Sequence, residues 1–112
     1  STVTAMLSDT HPITVLFGSL PAGSITGAPK KRACEIIHEL ETSPRGAYCG
    51  TMGYMNFDGT GSWNVLIRTL QKWQECEIWA GGGITIKSTV DDEYQECQDK
   101  IGTILAKVSK PK

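Results

Sequence analysis

The stretch PAGSITGAPKKRA, residues 21–33, decides the fold prediction because it places a glycine-containing loop directly before a basic, helix-forming segment. Proline is favoured in the first turn of a helix, where its missing N–H costs nothing, so Pro29 is predicted to open a helix that runs to about Glu41. The unpaired N–H groups at such a helix start, together with the helix dipole, attract a carboxylate or a phosphate. The residues of the stretch taken alone favour an ordinary turn with a helix cap, and an anion site is the alternative.

The loop departs from the nucleotide-binding pattern. Gly23 and Gly27 are too close together for the G-x-x-x-x-G-K-[ST] spacing, and Pro29 interrupts the pattern. The hydroxyls of Ser24 and Thr26, with the backbone N–H groups, remain candidates for binding another anion. A nucleotide phosphate is therefore disfavoured as the ligand.

Periodicity along the rest of the chain predicts an α+β fold, an antiparallel sheet with packed helices. The predicted elements are a strand over 1–7, one or two helical turns over 13–20, a loop over 21–28, a helix over 29–41, strands over 47–57, 62–70 and 77–88, and a helix over 90–108. Asp58 and Gly59 form a hairpin-turn signal between two of these strands, and a second turn is predicted over 72–75.

Composition excludes several classes of partner. A net charge of −1 gives no general attraction to nucleic acid or to an acidic membrane surface, and no apolar run approaches the roughly 18 residues of a membrane span. We therefore expect neither nucleic acid nor a membrane as a partner. The four cysteines form no C-x-x-C pair, so a zinc site is disfavoured and reduced thiols in a cytoplasmic protein are expected.

An acidic stripe lies along the last predicted helix. Glu93, Glu96 and Lys100 project within about 60° of each other at 3.6 residues per turn. The two carboxylates are ligands of the kind that Mg²⁺ prefers, and Lys100 is able to hold a substrate carboxylate. The spacing taken alone favours a solvated helix face with an ordinary Glu96–Lys100 pair over a metal site.

Two features of the predicted strands are unusual. Arg68 shares its strand face with Leu66 and Leu70, so it is either a carboxylate-binding residue or an edge residue that extends to water. Gly81, Gly82 and Gly83 interrupt the last predicted strand. Such a run indicates a bulge or a close approach by a ligand.

Taken together, these segments resemble the chorismate-utilising enzymes, in order and spacing, over nearly all 112 residues. That family covers the first components of anthranilate synthase and of aminodeoxychorismate synthase, isochorismate synthase and salicylate synthase. Within it, GSITGAPK and CGTMGYMNFDG look most like the aminodeoxychorismate synthase branch. The matching segments are STV at 1–3, PAGSITGAPKKRACEIIHELE at 21–41, RGAYCGTMGY at 45–54, IRTL at 67–70, AGGGI at 80–84 and DDEYQECQDK at 91–100.

The resemblance implies a site for chorismate and Mg²⁺. Glu96 resembles a direct Mg²⁺ ligand, and Glu93 resembles a neighbour that acts through water. Tyr48 and Arg68 resemble the pair that holds the enolpyruvyl carboxylate, beside the backbone of Gly83. The full set of implied substrate-binding residues is Ser24, Thr26, Gly27, Tyr48, Arg68, Gly83 and Lys100, of which Thr26 and Lys100 are also implied catalytic residues.

The resemblance also implies what the whole protein does. It implies that residues 1–112 are the C-terminal portion of a chorismate-binding domain, an α/β sandwich like that of anthranilate synthase component I. A site histidine, another Mg²⁺ glutamate and the nucleophilic lysine of the aminodeoxychorismate synthase branch are then expected upstream. The implied enzyme is a transferase that makes 4-amino-4-deoxychorismate, for para-aminobenzoate and folate, from chorismate and the ammonia that a glutamine amidotransferase subunit releases. Anthranilate synthase and isochorismate synthase are the alternative activities, and a non-catalytic binding module is the alternative for the isolated chain.

Overall fold

The computed structural model describes residues 2–109, which form an α+β arrangement of four helices and four short strands. The predicted fold class is confirmed. The helices are α1 (Pro12–Ser19), α2 (Gly23–Thr26), α3 (Lys30–Leu40) and α4 (Val90–Val108), and the strands are β1 (Thr51–Met55), β2 (Gly61–Val65), β3 (Thr69–Lys72) and β4 (Cys76–Trp79).

The long helices follow the sequence prediction closely. Helix α4 has the predicted bounds, and the side chain of Thr89 caps it by accepting a hydrogen bond from the N–H of Asp92 at 3.3 Å. Three acidic residues in its first turn complement the helix dipole. Helix α3 begins directly after Pro29, as the proline signal predicts, and helix α1 confirms the helical turns expected over 13–20. The predicted loop over 21–28 contains the single turn α2.

The strands form two separate two-stranded antiparallel sheets, so the single sheet of the prediction is wrong. Strand β1 pairs with β2, and β3 pairs with β4. The hairpin turn at Asp58 and Gly59 and the turn over 72–75 are confirmed. The strand predicted over 62–70 is divided because Arg68 adopts a left-handed conformation (φ 48°), which breaks the extended path between β2 and β3.

Two further strand predictions are corrected. Residues 2–7 are not in a strand, because an extended segment becomes one only when a neighbouring strand pairs with it, whereas Val3 and Met6 are 92% and 98% exposed. Ser1 lies outside the described residues. The strand predicted over 77–88 ends at Trp79, whose partner is Thr69, because the next residue on the opposite strand is the left-handed Arg68.

The described chain is less compact than a globular domain of the same length. Its radius of gyration is 17.0 Å, against about 13 Å for a compact domain of this length. Among residues 2–109, Cys49 is the one apolar side chain that is buried, and large apolar side chains such as Phe57 and Ile86 are fully exposed. No helix in this part of the chain is long and apolar enough to cross a membrane.

Candidate functional site

Five separate segments of the chain meet around a cavity of about 240 Å³, which we call the site cavity. The residues that line it are Ser24, Ile25, Tyr48, Ile67, Arg68, Gly81, Gly82, Gly83 and Lys100. Five of the seven predicted substrate-binding residues are in this set. They bring two hydroxyls, a guanidinium, an ammonium and glycine backbone to one place, which suits an anionic ligand.

Arg68 reaches this cavity because the backbone bends there. A left-handed conformation costs a residue with a Cβ about 1–2 kcal/mol, and a long side chain makes the position more unusual. Sequence alternation placed Arg68 in a regular strand, where it would share a face with Leu66 and Leu70. Residues held in such conformations cluster at functional sites, so the bend itself marks Arg68 as a candidate.

Lys100 joins helix α4 to the glycine run. Its Nζ donates a hydrogen bond to the backbone oxygen of Gly81 at 2.9 Å and pairs with Oε1 of Glu96 at 2.5 Å. The pair expected from helical spacing is therefore present, and the same ammonium also makes a contact across the site. Its side chain is 24% exposed, so the charge is partly withdrawn from water.

The two predicted metal-ligating carboxylates both face Gly82. A Cβ built on Gly82 would lie 2.8 Å from Oε2 of Glu93 and 3.2 Å from Oε2 of Glu96, so glycine is what lets both groups approach the backbone. Oε1 of Glu93 accepts a short hydrogen bond from the hydroxyl of Ser88. Oε2 of Glu93 is buried and has no hydrogen-bond partner. A buried carboxylate oxygen without a partner is costly, which favours a cation at this position.

The carboxylates of Glu93 and Glu96 are suitable ligands for Mg²⁺. Within residues 2–109 there is no cluster of three or more His, Cys, Asp or Glu side chains able to hold a metal ion. Mg²⁺ binds through one or two carboxylates while it keeps several waters, so the pair of Glu93 and Glu96 meets its chemical requirement. The metal role of both residues stays a prediction.

Tyr48 is held by aromatic and cationic neighbours. Its ring stacks on Trp79 with centroids 5.8 Å apart, and the guanidinium carbon of Arg45 lies 5.4 Å from the ring centre. Desolvation by burial raises the pKa of Tyr48 to about 12, so its phenol stays protonated and can donate a hydrogen bond to a carboxylate. The phenol oxygen lies close to Gly81, where a Cβ would be 2.7 Å away.

A second, larger cavity of about 590 Å³ shares Tyr48 with the site cavity, and we call it the rear cavity. Arg45 lines it and donates two hydrogen bonds to Glu41, at 2.7 and 2.5 Å. Sequence reasoning assigned no role to Arg45, although RGAYCGTMGY was among the matching segments. The available signal was spacing, because Glu41 and Arg45 stand four residues apart and Tyr48 follows three residues later.

Two predicted site residues do not line the site cavity. Thr26 lines the rear cavity, and its hydroxyl donates to the backbone oxygen of Ala22 at 3.2 Å. Gly27 is left-handed (φ 115°) and packs near Ala33. Their neighbour Ser24 is the hydroxyl residue of this loop that the structure brings to the site cavity. The roles of Thr26 and Gly27 stay predictions.

Comparison with known proteins identifies related sequences. The model of a family described as chorismate binding enzyme matches residues 1–106. The aminodeoxychorismate synthase component 1 of Klebsiella aerogenes is 50% identical over 107 residues, covering 94% of this chain and 24% of that protein. The Escherichia coli K12 protein of the same name is 46% identical over 112 residues (98% and 25%). The anthranilate synthase component 1 of Bacillus pumilus is 41% identical over 107 residues (94% and 21%). The chain spans about a quarter of the length of these relatives.

Proposed function

The chain belongs to the chorismate binding enzyme family, and we propose that it supplies the chorismate-binding wall of an aminodeoxychorismate synthase component 1. The observation that carries the proposal is the convergence of Tyr48, Arg68 and Lys100 on the site cavity. Chorismate is a dicarboxylate, and two cations beside a protonated phenol are complementary to two carboxylates.

Each of these residues has a distinct part in binding. The planar guanidinium of Arg68 is able to hold one carboxylate through two parallel hydrogen bonds, and Tyr48 donates from its neutral phenol to the same group. Lys100 supplies a compact positive charge from helix α4. Together they orient the ring of chorismate, which lowers the barrier to reaction through positioning.

We propose Mg²⁺ as the cofactor, with Glu96 as a direct ligand and Glu93 beside it. The supporting observation is the buried, unpartnered Oε2 of Glu93. When bound, the ion supplies positive charge that anchors the ring carboxylate and eases departure of the C4 hydroxyl. Gly82 keeps the space in front of the two carboxylates free of a side chain.

The proposed overall reaction is a transfer of nitrogen to chorismate. The C4–O bond breaks, the nitrogen of ammonia bonds to C4, and water is the by-product. The word component in the relatives' names supports a second subunit, and we propose a glutamine amidotransferase that releases the ammonia. The product, 4-amino-4-deoxychorismate, would serve para-aminobenzoate and folate synthesis. The cysteines, all unpaired in the structure, agree with the proposed cytoplasmic location.

A graft into a relative tests the assignment. In the grafted enzyme, this chain replaces the matching segment of the Klebsiella aerogenes protein. In a second graft, it replaces the matching segment of the anthranilate synthase component 1 of Bacillus pumilus. We expect the first graft to form 4-amino-4-deoxychorismate from chorismate, ammonia and Mg²⁺, as measured by mass spectrometry, and the second to form little anthranilate. Activity in the second graft alone would favour anthranilate synthase, and inactivity of both would overturn the proposal.

The metal assignment has its own test. Glu96→Gln in the grafted enzyme is expected to remove Mg²⁺-dependent turnover, because an amide is a much weaker ligand for Mg²⁺ than a carboxylate. Glu39→Gln is the matched control, since Glu39 is an exposed glutamate on helix α3 that pairs with Arg32 and lines neither cavity. Unchanged Mg²⁺ dependence in Glu96→Gln would contradict the metal role.

A further inference from the structure

We propose that Arg45 is a positioning residue for chorismate: it fixes the ring of Tyr48 from the rear cavity and does not itself contact the substrate. The inference rests on the proposed function, in which Tyr48 binds a substrate carboxylate. Tyr48 lines both the site cavity and the rear cavity, whereas Arg45 lines the rear cavity. Arg45 therefore approaches the tyrosine from a different cavity than the one that Arg68 and Lys100 line.

The guanidinium of Arg45 is itself fixed. Its Nε and Nη2 donate to the two carboxylate oxygens of Glu41 at 2.7 and 2.5 Å, and its Nη1 donates to Sγ of Cys49 at 3.2 Å. Glu41 in turn caps the C-terminal end of helix α3, where its N–H donates to the oxygen of Ile37 at 2.9 Å. All three nitrogens are engaged, so the orientation of the guanidinium is set by helix α3.

Two side chains contact the ring of Tyr48 and restrict its orientation. Trp79 stacks on it from strand β4, and Arg45 places its cation 5.4 Å from the ring centre. A cation over an aromatic ring is attracted to it, most strongly where water is excluded. Since Tyr48 is only partly buried, loss of the cation removes one of the contacts that keep its hydroxyl aimed at Gly81.

The backbone around Tyr48 is held without the guanidinium. The N–H of Cys49 donates to the oxygen of Leu66 at 2.8 Å, and Gln71 bonds both the N–H of Ala47 and the backbone oxygen of Arg45. These contacts do not involve the Arg45 side chain, so they remain when it is replaced. The expected consequence of its removal is a displaced ring on an intact loop.

Kinetics of the grafted enzyme test the proposal. Arg45→Met retains most of the side-chain volume and removes the charge. We expect it to raise the KM for chorismate about tenfold and to lower kcat by a smaller factor, because a group that both binds and orients the substrate is displaced. Arg45→Lys keeps the positive charge but loses the bidentate contact to Glu41, so we expect a KM between those of the unmodified graft and Arg45→Met. Arg32→Met is the matched control, since Arg32 is an exposed arginine on helix α3 with two acidic partners, and its KM should not change.

A double-mutant cycle separates positioning from mere stabilisation. Tyr48→Phe removes the hydroxyl through which Arg45 is proposed to act, so adding Arg45→Met to Tyr48→Phe should have little further effect on KM. Additive effects of the two substitutions would overturn the proposal. A lowered melting temperature of Arg45→Met and Arg45→Lys with unchanged KM would also overturn it, because that pattern describes a purely structural residue.

Near-ultraviolet circular dichroism gives a readout that does not depend on turnover. The Tyr48–Trp79 stack should contribute a signal that Trp79→Phe removes, and we expect Arg45→Met to weaken the same signal. If the unmodified graft is inactive but Arg45→Met changes this signal, the proposed function fails and the fixing of the ring stands. If the graft is active and Arg45→Met alters neither the signal nor KM, the positioning proposal fails and the function stands.

Discussion

The β1–β2 hairpin and the glycine run at the site both depend on glycine, but for different reasons. A Cβ on Gly53 in strand β1 would collide with the backbone oxygen of Ser62 and the ring of Trp63 on the opposite strand. A Cβ on Gly82 would instead meet the carboxylate ends of Glu93 and Glu96. The backbone of a paired strand cannot move to accommodate a methyl group, whereas the carboxylate ends of glutamate side chains can rotate away from it. Glycine is therefore required for strand pairing in the hairpin, and in the glycine run it is required for the positions of the two carboxylates.

The largest expected effect is that of Gly53→Ala on stability. Because the new methyl group meets backbone and an indole ring, the substitution should lower the free energy of unfolding of the grafted enzyme by about 3 kcal/mol. Denaturant unfolding measures this change. Gly18→Ala in helix α1 is the control, since a Cβ there has no neighbour within 4 Å, and it should stabilise by about 0.5–1 kcal/mol. Equal effects of the two variants would contradict the steric account of the hairpin.

Arg68, at the bend between the hairpin strand β2 and β3, should show opposite effects on stability and binding. Arg68→Gly removes the left-handed strain, so stability should rise by about 1 kcal/mol. It also removes a charged hydrogen-bonding group, so chorismate affinity should fall by about 2 kcal/mol, roughly 30-fold. Thermal unfolding and substrate titration measure the two quantities. Arg68→Lys retains both the strain and the charge, and if it bound and unfolded like Arg68→Gly the assignment would be wrong.

Gly82→Ala should affect function more than stability. The methyl group displaces the carboxylates of Glu93 and Glu96, so we expect Mg²⁺ affinity in the grafted enzyme to fall about tenfold, or about 1.4 kcal/mol, with less than about 1 kcal/mol lost in stability. Titration of turnover with Mg²⁺ measures the first quantity. Gly102→Ala is the matched control, because Gly102 is an exposed residue of helix α4 where a Cβ meets nothing within 4 Å, and its Mg²⁺ affinity should be unchanged. A stability loss as large as that of Gly53→Ala would remove the distinction between the two regions.

The smallest expected effect is the pH dependence of the hairpin turn. The side chain and the N–H of Thr60 donate to Oδ1 of Asp58, and these bonds hold the pKa of that carboxyl below its usual value. A carboxyl with a lowered pKa stabilises the fold above its unfolded pKa of about 3.9, and this contribution is lost as the pH falls through the lower folded value. Melting temperatures should therefore fall slightly more steeply below about pH 4 than those of Asp58→Asn, which cannot titrate there. Parallel curves would contradict this role.

The sequence predicts the two long helices well and the path between the strands poorly. Helix α4 has an N-cap at Thr89, acidic residues in its first turn and an apolar face, all of which are local signals. The bend at Arg68 and the end of strand β4 depend on which segments pair, and that choice is made by contacts distant in sequence. Alternating side chains at 62–70 fit a continuous strand equally well, so the pattern could not reveal the break.

The candidate site likewise combines residues that local spacing predicts with residues that it does not. Glu93, Glu96 and Lys100 were placed together by helical spacing, and the structure keeps them together beside Gly82. The predicted loop residues divided between two cavities, with Ser24 at the site cavity and Thr26 at the rear cavity, because the turn α2 points successive side chains in different directions. Arg45 was missed because its contacts join the end of α3 to a loop that carries no regular pattern.

The local pairing of the strands has a consequence for the order of folding. Each hairpin pairs strands that are neighbours in sequence, so it can form on the microsecond scale typical of hairpins. The bond from Lys100 to Gly81 spans 19 residues and requires α4 to dock, so it closes later. In stopped-flow experiments on the grafted enzyme, Gly53→Ala should slow refolding, whereas Gly82→Ala should mainly accelerate unfolding. Slower refolding of Gly82→Ala would show that the site assembles before the hairpins.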